Sequence, residues 1–195
     1  MIVKRIDFYF DFISPYSYLA STQVPELVDK YNVEVRWLPV NLPRLIKLSG
    51  NQSPAVVKNK AIYSLRDLKR WATYLGVPFK MIRPGSFDSR PALRIAGALK
   101  EDQQQRFCMD IFDALWSGSV DPTERGWVQQ VARVKGIPET WIVKQNEAFE
   151  LNTKSALNAG AFGAPSFVLH REGARNELFF GVDHLDFLVR AIDNN

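Results

Sequence analysis

The chain has 195 residues, which is enough for one domain with an insertion, or for two small domains, without disulfides or metals. Hydrophobic residues make up 46% and charged residues 24% of the sequence, which excludes disordered, collagen-like and coiled-coil compositions. The formal net charge of +4 comes without a block of basic residues, and no apolar window has the length of a membrane span. We therefore expect neither nucleic acid nor a membrane as a partner.

The single cysteine, Cys108, stands in a helical pattern with no second sulfur and no histidine cluster around it. We interpret it as a small buried side chain rather than a catalytic thiol, and we expect no metal site. Charged residues interrupt the N-terminal apolar segment at Lys4, Arg5, Asp7 and Asp11. No signal-peptide core forms there, so we expect a cytoplasmic protein.

The first predicted elements are a strand, a helix and a second strand. Residues 5–10 alternate between apolar and polar side chains, and residues 33–40 do so again. Residues 15–30, between them, have apolar side chains at helical spacing. Because this connection is too long for a hairpin, we expect two parallel strands joined by a right-handed crossover.

The middle of the chain, residues 41–158, has helical patterns throughout. Ser86 or Ser89 is a possible helix cap there, and Asp121 followed by Pro122 is typical of a helix start. The predicted helical segments, in chain order, are residues 54–76 as one long helix, 89–116 as two helices, 121–136 and 138–160.

Strand patterns return near the end of the chain. Residues 165–170 and 177–181 are predicted to form a β-hairpin, and residues 183–193 an amphipathic helix. The order β-α-β, helical block, β-β-α predicts an α/β fold with a thioredoxin-like core and an inserted all-helical subdomain. The predicted division is residues 1–40 and 159–195 for the core and residues 41–158 for the insertion.

The segment FDFISPYSYLA passes from strand to helix at Ser14-Pro15-Tyr16-Ser17. Ser14 is the predicted N-cap and Pro15 the first helical residue, where unpaired amides and the helix dipole favour an anion. A dithiol oxidoreductase would need cysteines at the positions of Ser14 and Ser17, so that reaction is excluded. Two interpretations remain: Ser14 is only a cap, or it donates a hydrogen bond to the thiolate of a bound thiol.

Two later segments also have either a structural or a ligand-binding interpretation. In a thioredoxin-like core, the loop that enters the third strand carries a cis proline, and the preceding residue offers its backbone to an extended peptide. Pro165, after Gly163 and Ala164, fits that position, or it is a trans proline that begins a strand. Asp183, at the start of the last predicted helix, is either an N-cap or an acceptor for a ligand's ammonium group.

Taken together, these motifs resemble a known family. The segments FYFDFISPYSYLA, SGN with Lys60 and YSLRDLKRWA after it, GAFGAPSF and FFGVDHL are similar to the 2-hydroxychromene-2-carboxylate isomerases, which are relatives of the kappa-class glutathione transferases. The resemblance spans nearly the whole chain. It implies a thioredoxin-like fold, glutathione as the cofactor and a homodimer.

The resemblance also implies which residues bind glutathione. The tripeptide carries two carboxylates and one ammonium, so a site with charges of both signs is complementary to it. The implied contacts are Ser14 at the sulfur, Asn51 and Lys60 at the glycine end or sulfur side, Ala164 and cis-Pro165 at the cysteinyl backbone, and Val182 and Asp183 at the γ-glutamyl end.

The implied reaction, in the degradation of aromatic compounds, interconverts 2-hydroxychromene-2-carboxylate and trans-o-hydroxybenzylidenepyruvate. It proceeds by reversible thiolate addition, bond rotation and elimination. The implied contacts to this small aromatic substrate are Trp37, Asn41, Phe87 and Arg90. Arg90 would pair with the substrate carboxylate, whereas core packing is the alternative interpretation of Trp37 and Phe87.

Two other functions stay open at this point. One is a glutathione transferase, in which the thiolate adds to another electrophile and the conjugate leaves. The other is a non-enzymatic peptide-binding module that has lost both sulfurs and kept the groove. The polar residues Asn51, Lys60 and Asp183 argue against the module, because it would not need them.

Overall fold

A computed structural model describes residues 4–193 of the chain. Its strands are β1 (Arg5–Phe10), β2 (Glu34–Pro39), β3 (Ser166–His170) and β4 (Glu177–Phe180), which form a sheet in the order β2-β1-β3-β4. Strands β1 and β2 are parallel, while β3 is antiparallel to both β1 and β4. The predicted parallel pair and the C-terminal hairpin are thus confirmed.

The helices account for most of the remaining chain. In chain order they are α1 (Pro15–Ser21), α2 (Val24–Tyr31), α3 (Leu42–Leu48), α4 (Lys58–Leu75), α5 (Arg90–Ala98), α6 (Glu101–Trp116), α7 (Trp127–Lys135), α8 (Glu139–Ile142), α9 (Ala148–Asn158) and α10 (Leu185–Asp193). Short 3₁₀ turns precede α4 and α10, at Pro54–Val56 and Val182–His184. Helices α3 to α9 lie between β2 and β3, where the insertion is predicted. Residues 1–3 and 194–195 of the predicted core lie outside the described residues.

Several predicted helix boundaries are wrong. Residues 138–160 form two helices, α8 and α9, with residues 143–147 between them. The single helix predicted over residues 15–30 is divided into α1 and α2, because Pro25 lacks the N–H that a continuous helix would use there. The helix predicted from Asp121 begins at Trp127. Asp121 Oδ1 instead accepts hydrogen bonds from the backbone N and the hydroxyl of Thr123, which makes a turn.

The long helix predicted to end at Gly76 is correct at that end only. Gly76 caps α4 in the left-handed conformation, with φ of 66°. The segment that precedes Lys58 is a 3₁₀ turn, and Val57 is extended. Ser53 caps that turn by accepting a hydrogen bond from the Ala55 amide.

The core is covered on both faces of β1. On one face, the rings of Phe8 and Phe167 stack at 4.7 Å between centroids, and Phe10 packs against Phe112 of α6 at 5.6 Å. On the other face, Tyr9 packs in a second apolar cluster with Val40, Leu45, Ala156, Ala161 and Val168. Strand β1 is therefore buried from Ile6 to Phe10, including its polar position Asp7.

Cys108 lies in α6 and is fully buried. Burial raises the pKa of its thiol well above the usual value, so the thiolate form is disfavoured. The prediction that Cys108 is a small buried side chain is confirmed. Among the described residues, no helix combines the length and the apolar character needed to cross a membrane.

Candidate active site

The chain leaves β1 and enters α1 at Ser14, which has an extended backbone (φ −92°, ψ 111°). Ser14 Oγ accepts a hydrogen bond from the Ser17 amide at 3.1 Å, and Pro15 occupies the first helical position. The predicted N-cap is confirmed. Since α1 has only seven residues, an anion at this end would be stabilised by nearby N–H and O–H groups rather than by a long helix.

The loop before β3 lies directly against Ser14. The Ala164–Pro165 peptide bond is cis, as the resemblance implies. The Ser14 hydroxyl donates a hydrogen bond to the Ala164 carbonyl at 3.1 Å, and only 4% of Ser14 is exposed. A hydroxyl has one hydrogen, so a ligand sulfur that accepted it would replace the Ala164 carbonyl as acceptor.

Asn51 follows α3 and reaches the same loop. Its Nδ2 donates a hydrogen bond to the Phe162 carbonyl at 3.0 Å. The Phe162 ring in turn packs against Phe180 of β4, with centroids 4.4 Å apart. Ser14 and Asn51 therefore both bind the loop that carries cis-Pro165.

The turn after β4 lies on the other side of this loop. The Gly181 amide donates a hydrogen bond to the Pro165 carbonyl at 3.0 Å, and the 3₁₀ turn that follows contacts α1. Val182 is buried, while the Asp183 carboxylate is exposed, with Oδ1 3.3 Å from His184 Nδ1. Gly181 has φ of +94°, a backbone conformation that residues with a Cβ rarely adopt, so this position favours glycine.

Lys60 lies in the first turn of α4, at a cleft of about 390 Å³ that Pro54, Asn59, Tyr63 and Ser64 also line. Helix α4 is joined to α1 by Tyr16, whose hydroxyl donates a hydrogen bond to Asp67 Oδ2 at 3.0 Å. Burial, and then the Asp67 carboxylate, raises the pKa of Tyr16 above its usual value, so the hydroxyl stays a neutral donor. The cleft at Lys60 is thus connected to the helix that begins at Ser14.

Both aromatic residues that the resemblance implies as substrate contacts pack against other rings. Trp37 is 3% exposed and lies edge-on to Phe8 and Phe10, at 5.1 and 5.6 Å between centroids. Core packing, the alternative interpretation, is what the structure shows for Trp37. Phe87 is half-buried and makes an edge-to-face contact with Trp127 at 5.8 Å.

The two polar candidates are engaged in local pairs. Asn41 caps α3 by accepting a hydrogen bond from the Arg44 amide, and its Nδ2 donates to Glu150 Oε1 at 3.3 Å. Arg90 begins α5 and forms a forked pair with Asp88, with Nη2 2.7 Å from Oδ2. The Arg90 side chain is mostly exposed, so a ligand carboxylate could reach its guanidinium.

Comparison with known proteins identifies the family of the chain. Residues 5–193 match the family described as the DSBA-like thioredoxin domain. The chain belongs to the DsbA-like thioredoxin family. It is 30% identical over 200 residues to a 2-hydroxychromene-2-carboxylate isomerase of Sphingobium xenophagum, with 96% of this chain and 97% of that protein covered. It is also 30% identical over 203 residues to glutathione S-transferase kappa 1 of Caenorhabditis elegans, covering 96% and 90% of the two chains.

A solved structure of a 2-hydroxychromene-2-carboxylate isomerase superposes on this DsbA-like chain with a TM-score of 0.79. The two sequences are 27% identical, and the superposition covers 97% of this chain and 94% of the other. The thioredoxin-like fold and the resemblance found in the motifs are thereby confirmed.

Sequence analysis did not place Asp11 in the site of this DsbA-like chain. Asp11 is 1% exposed; its Oδ1 accepts hydrogen bonds from the Ile13 amide at 3.2 Å and the Ser89 hydroxyl at 2.6 Å. Its Oδ2 accepts from the Leu42 amide at 2.9 Å. Ser89 thus begins α5, as predicted, but its hydroxyl binds Asp11 instead of capping the helix. The available signal was one acidic residue between apolar residues at a strand end.

None of the ion pairs formed by the described residues involves Asp11. Burial raises the pKa of Asp11 to about 6, although the hydrogen bonds from Ser89, Leu42 and Ile13 lower it. A buried carboxylate without a cation is costly to keep ionised, so the three donors are what stabilises its charged form.

Proposed function

We propose that the protein is a glutathione-dependent isomerase that interconverts 2-hydroxychromene-2-carboxylate and trans-o-hydroxybenzylidenepyruvate in the degradation of aromatic compounds. The observation that carries this proposal is the Ser14 hydroxyl, held against the cis-Pro165 loop in a chain with serine at both helix positions where a dithiol enzyme has cysteine. Similarity over nearly the full chain to proteins named as this isomerase supports the same reaction.

Glutathione, when bound, supplies a thiolate that adds to the substrate double bond, permits rotation about the resulting single bond and leaves again. In our proposal, Ser14 donates a hydrogen bond to the sulfur and so lowers the pKa of the thiol. The same hydrogen bond makes the thiolate a better leaving group in the elimination step. The Tyr16 amide is a second donor at this end of α1, since Pro15 has no N–H and the Ser17 amide is taken by Ser14.

The residues around Ser14 fit glutathione in charge as well as in hydrogen bonding. Lys60 and Asp183 are both exposed, so an ammonium and a carboxylate are available to groups of opposite sign. We propose that Lys60 and Asn51 bind the glycine side and Asp183 binds the γ-glutamyl ammonium. The backbone of Ala164 and the buried Val182 would hold the peptide between them.

The substrate side of the site is proposed on chemistry alone. Arg90 is the group best suited to the substrate carboxylate, because its guanidinium is exposed and makes forked hydrogen bonds. Asn41 and Phe87 are half-buried and would contact the remainder of the molecule. Trp37 is buried between other rings, so we assign it a supporting position behind the site.

A second candidate is a kappa-like glutathione transferase acting on another electrophile. The observation that favours it is the kappa-class relative, which is as similar as the isomerase relative over the same share of this chain. Both reactions would use the thiolate at Ser14. They differ in whether a glutathione conjugate accumulates, and product analysis separates them.

The test is a calorimetric titration of the protein with reduced glutathione and with S-methylglutathione, at slightly alkaline pH. We expect reduced glutathione to bind about tenfold more tightly, because its thiolate accepts a much stronger hydrogen bond from Ser14 than a thioether sulfur does. Ser14→Ala should abolish this preference. Ser21→Ala is the matched control, since the Ser21 hydroxyl is buried on the same helix and donates to the Tyr18 carbonyl.

Absorbance of the aromatic substrate then reports its isomerisation, and chromatography reports any conjugate. Isomerisation without net loss of glutathione supports the isomerase, whereas a conjugate supports the transferase. If neither form of glutathione binds the wild-type protein, both enzymatic proposals are wrong. Ser14 is then a helix cap only, and a peptide-binding module is the better interpretation.

A further inference from the structure

Asp11 lies where the end of β1 meets the first turns of three helices. Through its side chain it holds the Ile13 amide, the Leu42 amide at the start of α3 and the Ser89 hydroxyl at the start of α5. Through its backbone carbonyl it accepts a hydrogen bond from the Ser14 amide at 3.0 Å. One buried residue therefore connects the turn that carries Ser14 to two helices from the middle of the chain.

We propose that Asp11 is a positioning residue of the site: its carboxylate holds the turn of residues 11–14 against α3 and α5 and thereby directs the Ser14 hydroxyl at the cis-Pro165 loop. The kinetic part of its test, which measures kcat/KM, rests on the proposed function, whereas the part that measures amide hydrogen exchange does not.

The turn is too short to let Ser14 move independently of Asp11. The amides of both Ile13 and Ser14 donate to Asp11, one to the side chain and one to the backbone. The side chain of Asp11 is itself held from two other directions, by Leu42 and Ser89. A shift of Ser14 would therefore break contacts at a buried group, which is unfavourable where water cannot replace them.

A carboxylate is the side chain that this position needs. Its two oxygens face two backbone N–H groups, one on Ile13 and one on Leu42. Asparagine has the same shape but presents one oxygen and one NH₂ group, so in either orientation one of those N–H groups would face another donor. Asp11→Asn therefore releases either the turn or the start of α3 without opening a cavity.

The matched control is Asp7→Asn. Asp7 is also buried, lies on the same strand and loses a charge in the same isosteric change. It is four residues earlier, about 13 Å along an extended chain, and its partners Arg36 and His170 lie on the sheet away from the turn. A general loss of stability is expected in both variants, whereas a displaced Ser14 side chain is expected only in Asp11→Asn.

The first arm measures amide hydrogen exchange in the ligand-free protein. The Ser17 amide reports the position of Ser14 Oγ, which accepts its hydrogen bond, and the Ile13 amide reports the turn. We expect Asp11→Asn to speed exchange at Ser17 about tenfold relative to the β1 amides, with no such local change in Asp7→Asn. Unchanged exchange at Ser17 in Asp11→Asn would overturn the proposal.

The second arm is a double-mutant cycle on kcat/KM with Asp11→Asn and Ser14→Ala. If Asp11 acts through Ser14, the first change lowers kcat/KM about tenfold in the wild-type background and has no further effect once Ser14 is alanine. If the effects of the two changes on the activation free energy from kcat/KM are additive, Asp11 does not act through Ser14 and the positioning role is contradicted. Should the wild-type protein neither bind glutathione nor convert substrate, the proposed function fails, and the exchange arm still decides the role of Asp11.

Ser89→Ala is the milder variant if Asp11→Asn does not fold. It removes only the hydroxyl donor at Asp11 Oδ1 and leaves both backbone contacts of the carboxylate in place. We expect faster exchange at Ser17 and a lower kcat/KM, both smaller in size than for Asp11→Asn. No change in either measurement counts against the proposal.

Discussion

At the scale of single residues, Asp7 and Asp11 show how neighbours decide the charge of a buried acid. Burial raises the pKa of each carboxyl group. At Asp7, hydrogen bonds from Arg36 and His170 outweigh burial, and the pKa is lowered below 3.8. At Asp11, the donors are uncharged, and the pKa stays raised at about 6. A charged donor, the Arg36 guanidinium, thus distinguishes Asp7 from Asp11, four positions later.

These shifts predict opposite effects of pH on the two asparagine variants. At Asp7, stabilisation by the ionised form is present above pH 3.8 and is lost as the pH falls through the lower folded-state pKa. Asp7→Asn should lower the free energy of unfolding by about 1 to 3 kcal/mol at neutral pH. The difference from wild type should shrink only in acid, below about pH 4.

At Asp11 the sign is reversed. Because the folded-state pKa lies above the unfolded value of 3.8, the contribution of Asp11 to stability declines as the pH rises from there towards 6. Any stability advantage of wild type over Asp11→Asn should therefore shrink by about 3 kcal/mol between acid and neutral pH. Urea unfolding of both variants over this range is the measurement. If the free energies of unfolding of the two variants depend on pH in the same way, the opposite pKa shifts assigned to Asp7 and Asp11 are wrong.

At the scale of elements, α1 depends on its neighbours for its position. A helix of seven residues is not stable alone in water, so its contacts hold it in place. Tyr16 joins it to α4 through Asp67, and Tyr18 joins it to the segment after α4 by donating to the Pro78 carbonyl at 2.7 Å. The distance between Ser14 and Lys60 is thus governed by side chains of α1.

Tyr16→Phe tests this link between α1 and α4. The change removes the hydrogen bond to Asp67 and keeps the ring, so we expect a loss of about 1 kcal/mol in the free energy of unfolding. We also expect weaker glutathione binding, because α4 carries Lys60. The matched control is Tyr18→Phe, which loses a hydrogen bond on the same helix that does not reach α4.

Chemical denaturation and calorimetry measure the two effects separately. Similar losses of stability with weaker glutathione binding in Tyr16→Phe alone are the expected result. If both variants bind glutathione equally well, the contact at Asp67 supports the fold and contributes nothing to the position of Lys60.

At the scale of the whole molecule, one apolar cluster includes residues of both predicted parts of the chain. Phe112 of α6, from the middle segment, packs against Phe10 and Phe12 at 5.6 and 4.8 Å between ring centroids and against Tyr18 of α1 at 6.4 Å. The same cluster extends to Leu188 and Ile192 of α10. We propose that the core and the helical insertion, although separate in sequence, unfold together.

Phe112→Ala should therefore lower the free energy of unfolding by about 3 to 5 kcal/mol in a single cooperative transition. Phe187→Ala is the control, because that ring is 55% exposed on α10 and should cost less than about 1 kcal/mol. Far-ultraviolet and tryptophan signals followed in denaturant give the comparison. Two separate transitions would show that the predicted insertion folds on its own.

One statement about the whole molecule stays a prediction. The resemblance implies a homodimer, and sedimentation equilibrium would measure the mass in solution.

The sequence by itself determined the order of the strands, the helical character of the middle segment and the N-cap at Ser14. These features depend on short-range rules: the period of apolar side chains, the preference of serine for an N-cap and of proline for the first helical turn. The left-handed Gly76 at the end of α4 follows the same local logic. Motifs along the chain also showed the family, because they combine several such local features in one order.

Only the tertiary structure decided what these elements touch. Asp11 binds groups 31 and 78 positions later in the chain, and Asn51 binds a carbonyl 111 positions later. Trp37, a candidate from sequence, lies against the core rings of Phe8 and Phe10. No local pattern encodes such contacts, because they arise when apolar faces of distant elements pack and bring unrelated polar groups together.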